Sequence, residues 1–125
     1  MDYMCIFCDL PKNEKVIFED EYCFSVFDIK PASKGHCLVI PKRHVRTYFD
    51  LTDDEIKAMF NMSKKLKEML DKLYSPKGYN VGFNVEHAGG QRIFHAHMHV
   101  IPRYGENSET RYKGVRSMKP GDELN

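Results

Sequence analysis

No sign of charge dominates this sequence. Its 125 residues carry 19 Lys and Arg against 18 Asp and Glu, a formal net charge of +1. So balanced a chain is not expected to hold nucleic acid through bulk electrostatics, and there is no basic block to act as a local patch. Long apolar runs are missing as well, which argues against a membrane partner or span. Asp2 and the charges that follow break the start of the chain, so no secretory leader is read there and the expected compartment is the cytoplasm. Cysteine is scarce: the four residues are Cys5, Cys8, Cys23 and Cys37. Without a secretion signal they do not form a disulfide framework. Repeats and low-complexity segments are absent. What remains is 42% hydrophobic and 30% charged, ordinary for a soluble globular chain. The length suits a single domain over residues 1–125, with 104–125 as a polar surface tail that could reach a partner subunit.

The chain is organised around Phe94-His95-Ala96-His97-Met98-His99-Val100-Ile101-Pro102-Arg103. Half of its six histidines stand here at strict two-residue spacing. Period-two alternation is the pattern of a β-strand with two unlike faces. His95, His97 and His99 then share one face, and Ala96, Met98 and Val100 the other. Pro102 lacks a backbone donor and is expected to end the strand. Ala88-Gly89-Gly90-Gln91, just before, is a glycine-rich turn that lets backbone approach a bound group. A row of imidazoles can hold a metal. It can equally do phosphate chemistry, one histidine as nucleophile and its neighbours as donors. The plain alternative is a ladder of histidines with no such role.

Upstream, residues 16–18, 22–27 and 36–40 read as three short strands in an antiparallel meander, the third apolar on both faces and ended by Pro41. Thr52-Asp53-Asp54-Glu55 is a capping box. It opens a helix to about Leu73 or Tyr74, with Ile56, Met59, Phe60, Ser63, Leu66, Leu70 and Leu73 as its apolar stripe. Tyr79 to Glu86 alternates as a fourth strand, with Gly82 and Asn84 leaving room for a ligand on its polar face. The expected fold is α+β: a five-stranded, mainly antiparallel sheet with one long helix on its apolar side.

Cys5-Ile6-Phe7-Cys8 is a Cys-x-x-Cys pair at the start of the chain. A closed structural zinc site needs four ligands. His44, in a loop after a strand, and His95, first of the histidine row, would complete a tetrahedral set with Cys5 and Cys8. A thioredoxin-like redox role would want a strand before the pair and a helix after it. Two reduced, unliganded thiols remain the alternative.

These motifs together resemble the histidine triad (HIT) superfamily. His95 to Ile101 is similar to its His-φ-His-φ-His-φ-φ signature. Ile17-Phe18-Glu19-Asp20, Asp28-Ile29-Lys30-Pro31, the stretch from His36 to His44, and Gly89-Gly90-Gln91 extend the likeness from Cys5 to about Arg103. It is nearest the Hint branch, while Pro102-Arg103 resembles the Fhit branch. The resemblance implies a nucleotidyl hydrolase or transferase acting on an α-phosphate, of nucleoside phosphoramidates for Hint-like members and dinucleoside polyphosphates for Fhit-like ones. It implies a homodimer and purine nucleotide partners such as AMP or GMP. It makes His97 the nucleophile, places His99 at the α-phosphate and leaving group, and makes His36 a further active-site histidine. Asp28 would bind the ribose, while Ile6, Phe7, Leu10, Val26 and Ile29 would wall the base pocket. Asn84 would donate to the α-phosphate, beside Gln91 of the glycine turn. Arg92 stands where many relatives have serine or threonine, so its guanidinium or its amide is the group offered to phosphate. The tryptophan-containing C-terminal end of some Hint proteins is absent. Some bacterial members bind structural zinc through residues that Cys5, Cys8, His44 and His95 match.

Imidazole suits such work, being largely neutral near pH 7 yet basic enough to attack phosphorus. The attacking ring needs an acceptor, such as a backbone carbonyl, for its other nitrogen. A nucleotide-binding sensor or scaffold with little turnover is the alternative function, and a zinc-stabilised domain without catalysis is a third.

Overall fold

The computed structural model describes residues 5–9 and 15–105. In chain order they form a short helix α1 (Ile6–Asp9), strands β1 (Cys23–Phe27) and β2 (Cys37–Pro41), a long helix α2 (Asp53–Tyr74), and strands β3 (Gly78–Phe83) and β4 (Met98–Arg103). The strands make one sheet of order β1-β2-β4-β3, each neighbouring pair antiparallel. The last strand in sequence is therefore inserted into the middle of the sheet. This sets His99 opposite Leu38 on one side and Gly82 on the other.

The expected α+β class is found, but the sheet has four strands among the described residues, not five. Residues 16–18 lie along β1 without becoming a strand, and a lone bridge joins Glu19 to Phe24. Ser25 explains the interruption. Its backbone exchanges bonds with Ile17 and Phe18, but its hydroxyl accepts the Phe18 N–H at 3.1 Å, replacing a ladder partner. The Asp20 carboxylate then takes the N–H groups of Tyr22 and Cys23, both at 2.8 Å, and closes the turn.

Helix α2 begins where expected. The Thr52 hydroxyl accepts from the Glu55 amide, and the Glu55 carboxylate accepts from the Thr52 amide. It ends at Ser75 in the left-handed region (φ 53°). Its buried stripe is rotated from the expected one: Ala58, Met59, Met62, Leu66 and Leu70 face the sheet, while Phe60 and Leu73 are exposed. Burying each large apolar side chain contributes about 1.5–3 kcal/mol before entropy is subtracted. Gly35, at φ +87°, lets the turn before β2 pass under the end of α2, where a Cβ would lie 3.0 Å from Leu70 and Tyr74.

Each face of the sheet has its own core. Cys23, Cys37, Val39, Ala96, Met98 and Val100 pack with α2. Phe24, Val26, Leu38 and Ile40 pack with Phe7 on the opposite face. The alternation expected around the histidines is thus realised, although β4 itself starts only at Met98. His95 and His97 precede the paired strand, on a segment anchored by Ala96 N–H to the Val45 carbonyl at 2.8 Å. Strand β3 stops at Phe83, short of the expected Glu86, which adopts φ 65° to enter the next turn. No helix among the described residues is long and apolar enough to cross a membrane.

Candidate active site

His36, His95, His97 and His99 are all buried on the face opposite α2. Buried imidazoles must satisfy both nitrogens, and here backbone groups set the order. The Ala32 N–H donates to Nδ1 of His36 at 2.9 Å, so the His36 proton sits on Nε2. That Nε2 lies 3.0 Å from Nδ1 of His99 and 3.5 Å from the Asp28 carboxylate. Nδ1 of His99 therefore accepts, and its own proton resides on Nε2. Asp28 is held in turn: its other oxygen accepts the Lys30 N–H at 2.9 Å, and its amide donates to the His36 carbonyl.

His97 is arranged oppositely. Its Nδ1–H donates to the backbone carbonyl of His95 at 2.9 Å, which leaves the lone pair on Nε2. An imidazole with one nitrogen tied to a carbonyl acceptor has the tautomer a nucleophile or general base needs. His97 and His99 both line a cavity of about 330 Å³. Ile6, Phe7, Val26, Leu38 and Ile93 give that cavity apolar walls. Asp28, Lys15, Lys30 and Arg92 give it a charged mouth, and Phe27, Ile29 and Gly90 complete it. Phe7 stands nearly perpendicular to His97, with ring centroids 4.9 Å apart.

The second cluster lies beside it. Cys5, Cys8, His44 and His95 bring their donor atoms within 4.8 Å of one another. The Cys5 sulfur is 3.3 Å from Nδ1 of His95, and the Cys8 sulfur is 3.2 Å from Nδ1 of His44. His95 gives its Nε2–H to the Pro41 carbonyl at 2.8 Å, so Nδ1 is the nitrogen that would ligate a metal. Tetrahedral zinc with Zn–S near 2.3 Å and Zn–N near 2.0 Å needs sulfur and nitrogen about 3.5 Å apart, which the sulfur–nitrogen distances of 3.2, 3.3 and 3.5 Å here fit.

The expected site residues divide by placement. His36, His97, His99, Asp28 and the walls Ile6, Phe7, Val26 and Ile29 come together, with Arg92 at the rim. Leu10 lies outside the described residues. Asn84 is half-buried beyond the end of β3 and does not line the cavity. Gln91 is buried and does not line it. Its Oε1 accepts the Glu86 N–H at 2.7 Å, and its Nε2 donates to the Arg46 and Ile93 carbonyls at 2.7 and 3.0 Å. Even its amide is engaged, with the Glu86 carbonyl. Gln91 is thus the internal brace of the glycine turn. Sequence reasoning missed Phe27, Leu38, Ile93, Lys15 and Lys30. Only the register finds Leu38, as the cross-strand partner of Val26.

The class defined by fold and site is a small α+β domain in which alternating imidazoles open onto an apolar-walled cavity. The family model described as the HIT domain matches residues 10–106, and the chain belongs to that family. It is 39% identical over 119 residues to an uncharacterized HIT-like protein of Methanocaldococcus jannaschii, covering 92% of each chain. Adenylylsulfatase HINT3 of Arabidopsis thaliana is 33% identical over 79% of this chain and 52% of its own length. The asymmetrical bis(5'-nucleosyl)-tetraphosphatase of Schizosaccharomyces pombe is 32% identical over 78% and 53%. Among solved structures, a HIT family protein of Bacillus anthracis superposes with TM-score 0.76 at 37% identity, covering 82% of this chain and 74% of that one. A zinc-bound histidine triad protein of Mycobacterium smegmatis gives 0.78 at 28%, covering 89% and 83%.

Proposed function

We propose that this protein is a nucleotide hydrolase that cleaves at the α-phosphate of purine nucleoside phosphoramidates or dinucleoside polyphosphates through a nucleotidyl-histidine. The observation that carries the reading is the His97 Nδ1–H bond to the His95 carbonyl, which puts the lone pair on Nε2 of a ring lining the cavity. Relatives named for adenylylsulfatase and tetraphosphatase activities support the reaction class, each matched over about half its length.

Nε2 of His97 forms a bond to the α-phosphorus, and the bond from phosphorus to the leaving group breaks with its electron pair. Water then attacks the same phosphorus and releases a proton to solvent, which offsets the proton the departing amine takes up; the P–N bond to His97 breaks and its electron pair returns to Nε2. Splitting one displacement into two is the benefit of covalent catalysis. His99, its Nδ1 occupied by His36, presents Nε2–H as the donor to the phosphoryl oxygens, where charge develops. Asp28 takes the ribose hydroxyls, and the apolar walls take the base with weak discrimination between adenine and guanine. Arg92 faces the phosphates.

Cys5, Cys8, His44 and His95 would hold zinc. With four protein ligands the metal supplies a structural crosslink and no chemical step. The chain would act as a homodimer through the edge of β3 that is unpaired among the described residues, where Val81 is exposed beside the aromatic group of Phe60, Phe83, Tyr48 and Phe49.

The test is turnover of a fluorogenic adenosine phosphoramidate. His97→Asn should lower kcat by at least about 10⁴-fold while AMP still binds. Near wild-type hydrolysis by that variant rejects the nucleophile. Tight AMP binding by the wild type with no turnover of either substrate class favours the sensor reading instead.

A further inference from the structure

Helix α1 has four residues, and those four carry two different duties. Cys8, with Cys5 just before the helix, faces His44 and His95. Ile6 and Phe7 face the nucleotide cavity. A single helical turn has no stability of its own in water, because nucleation costs more than one turn of hydrogen bonds returns. Its position must come from side chains docked on the body of the domain. Phe7 is 4% exposed and packs with Phe24, Val26, Leu38 and Ile40. The two sulfurs supply the other tie.

Phe7 also touches both histidines that matter. Its ring centroid is 4.9 Å from that of His97 at 75°, and 5.9 Å from that of His95 at 79°. His95 completes the circuit. Nδ1 of His95 faces the sulfurs at 3.3 and 3.5 Å, while its carbonyl oxygen accepts from Nδ1 of His97 at 2.9 Å. One residue is thus a member of the metal set through its side chain and holds the tautomer of His97 through its backbone. Two short paths, one through Phe7 and one through His95, connect the four-donor set to the cavity.

We infer that Phe7 is a positioning residue linking the metal set to the nucleotide site, so that zinc and nucleoside monophosphate bind this chain cooperatively. The inference rests on the nucleotide pocket and zinc set proposed above. With the set filled, α1 is pinned, Phe7 closes the apolar wall, and His97 is held against one side. With the set empty, the turn loses one of its ties and the wall it carries must be ordered at the expense of nucleotide affinity. Coupling between two equilibrium sites is reciprocal: the factor by which zinc tightens AMP is the factor by which AMP tightens zinc.

The experiment uses the full chain and two binding measurements. AMP affinity is measured by calorimetry on zinc-loaded and chelator-treated protein. Zinc affinity is measured by competition with a chromophoric chelator, with and without saturating AMP. We expect a roughly tenfold tightening in each direction, with equal factors. The zinc competition needs no isolated zinc-free protein, so it decides the matter even if the apo chain unfolds. Factors within twofold of one overturn the coupling while leaving both proposed sites intact. Absence of AMP binding to zinc-loaded protein overturns the nucleotide reading and this inference together, and absence of stoichiometric zinc does the same through the metal set.

Phe7→Ala then tests the path. It should retain zinc at one per chain, weaken the response of zinc affinity to AMP to the part carried through His95, and raise KM for the phosphoramidate more than it lowers kcat. A zinc affinity that still responds fully to AMP in this variant overturns the role of Phe7.

Discussion

The Nε2–H of His36 points to Nδ1 of His99, 3.0 Å away, although the two residues are 63 positions apart in the chain. The direction of that bond is decided elsewhere, by the Ala32 amide on the far side of the His36 ring. A backbone N–H therefore sets the tautomer of two successive imidazoles and ends with a donor on Nε2 of His99. His97 receives the opposite tautomer from a backbone carbonyl. Adjacent rings in one row are thereby given different roles, one offering a proton and the other a lone pair, without any difference in residue type.

His36→Ala should consequently act through His99. Its loss leaves Nδ1 of His99 without its donor and lets the ring turn. We expect kcat on the phosphoramidate to fall on the order of 10–100-fold, the scale of a small misplacement of a reacting group, with KM little changed. His36→Gln, which can still donate from its amide nitrogen, should recover part of the rate. Steady-state kinetics of the two variants side by side decide this; equal loss in both would mean that the hydrogen bond to His99 is not the cause.

Much of this arrangement is legible in the order of residues alone. The alternation of His95, His97 and His99 with Ala96, Met98 and Val100 has period two, and two cores sort those residues onto opposite faces. Thr52 and Glu55 announce the helix start because capping is local chemistry. The features that escape a sequence reading depend on pairing. Nothing local says that β4 inserts between β2 and β3, so the His36–His99 contact and the membership of Leu38 in the cavity wall follow only from register. Nothing local says that Ser25 spends its hydroxyl on Phe18 and interrupts a fifth strand. Helix periodicity finds a stripe, but its rotation toward Met62 rather than Phe60 is set by the sheet beneath. Gln91 beside two glycines suggests a phosphate donor, and its actual partners are carbonyls and an amide in its own loop and in the segment at Arg46.

Gln91→Leu should expose the consequence of that bracing. The side chain is 2% exposed and satisfies one N–H and two carbonyls. An apolar replacement leaves those groups unpaired, a loss of about 2–3 kcal/mol in unfolding free energy. The turn also carries Gly90 and Arg92 into the cavity rim, so KM should rise while the nucleophile is untouched. Urea denaturation and steady-state kinetics measure the two effects separately. A stability change below about 0.5 kcal/mol, the usual range for surface substitutions, would show that the brace is dispensable.

The four thiols should divide into pairs. Cys23 and Cys37 are fully buried, and burial pushes each thiol up to about 12, with Asp20 adding to the effect at Cys23. They should be silent toward a thiol-directed reagent near neutral pH, since the thiolate is the reactive form. Cys5 and Cys8 are only partly buried and face the other two donors of the metal set. Native zinc-loaded protein should therefore show no fast thiols, a strong chelator should release two, and denaturation should release four. Two fast thiols in zinc-saturated protein would remove Cys5 and Cys8 from the ligand set.

Acid should loosen the loop that carries His44. Glu55 is buried at the start of α2, where it accepts from Nε and Nη2 of Arg43 at 2.9 and 2.8 Å and from the Thr52 amide at 2.8 Å. These bonds, that to Arg43 foremost, hold its carboxyl below the usual glutamate range. A carboxylate whose value is lowered on folding contributes stability in full above its unfolded value of about 4.3, and that contribution is lost as pH falls through the folded value. The contribution of Glu55 should thus stay constant from neutrality to about pH 5 and shrink below it. Glu55→Gln should be less stable than the wild type at pH 7 by about 1–3 kcal/mol, the scale for hydrogen bonds to a charged group, with the gap closing as the wild-type carboxylate is protonated. Because Arg43 is next to His44, the variant should also release zinc faster to a chelator at pH 7. Parallel midpoints for the two proteins from pH 7 down to pH 3 would show that the Arg43–Glu55 contact does not stabilise the folded chain.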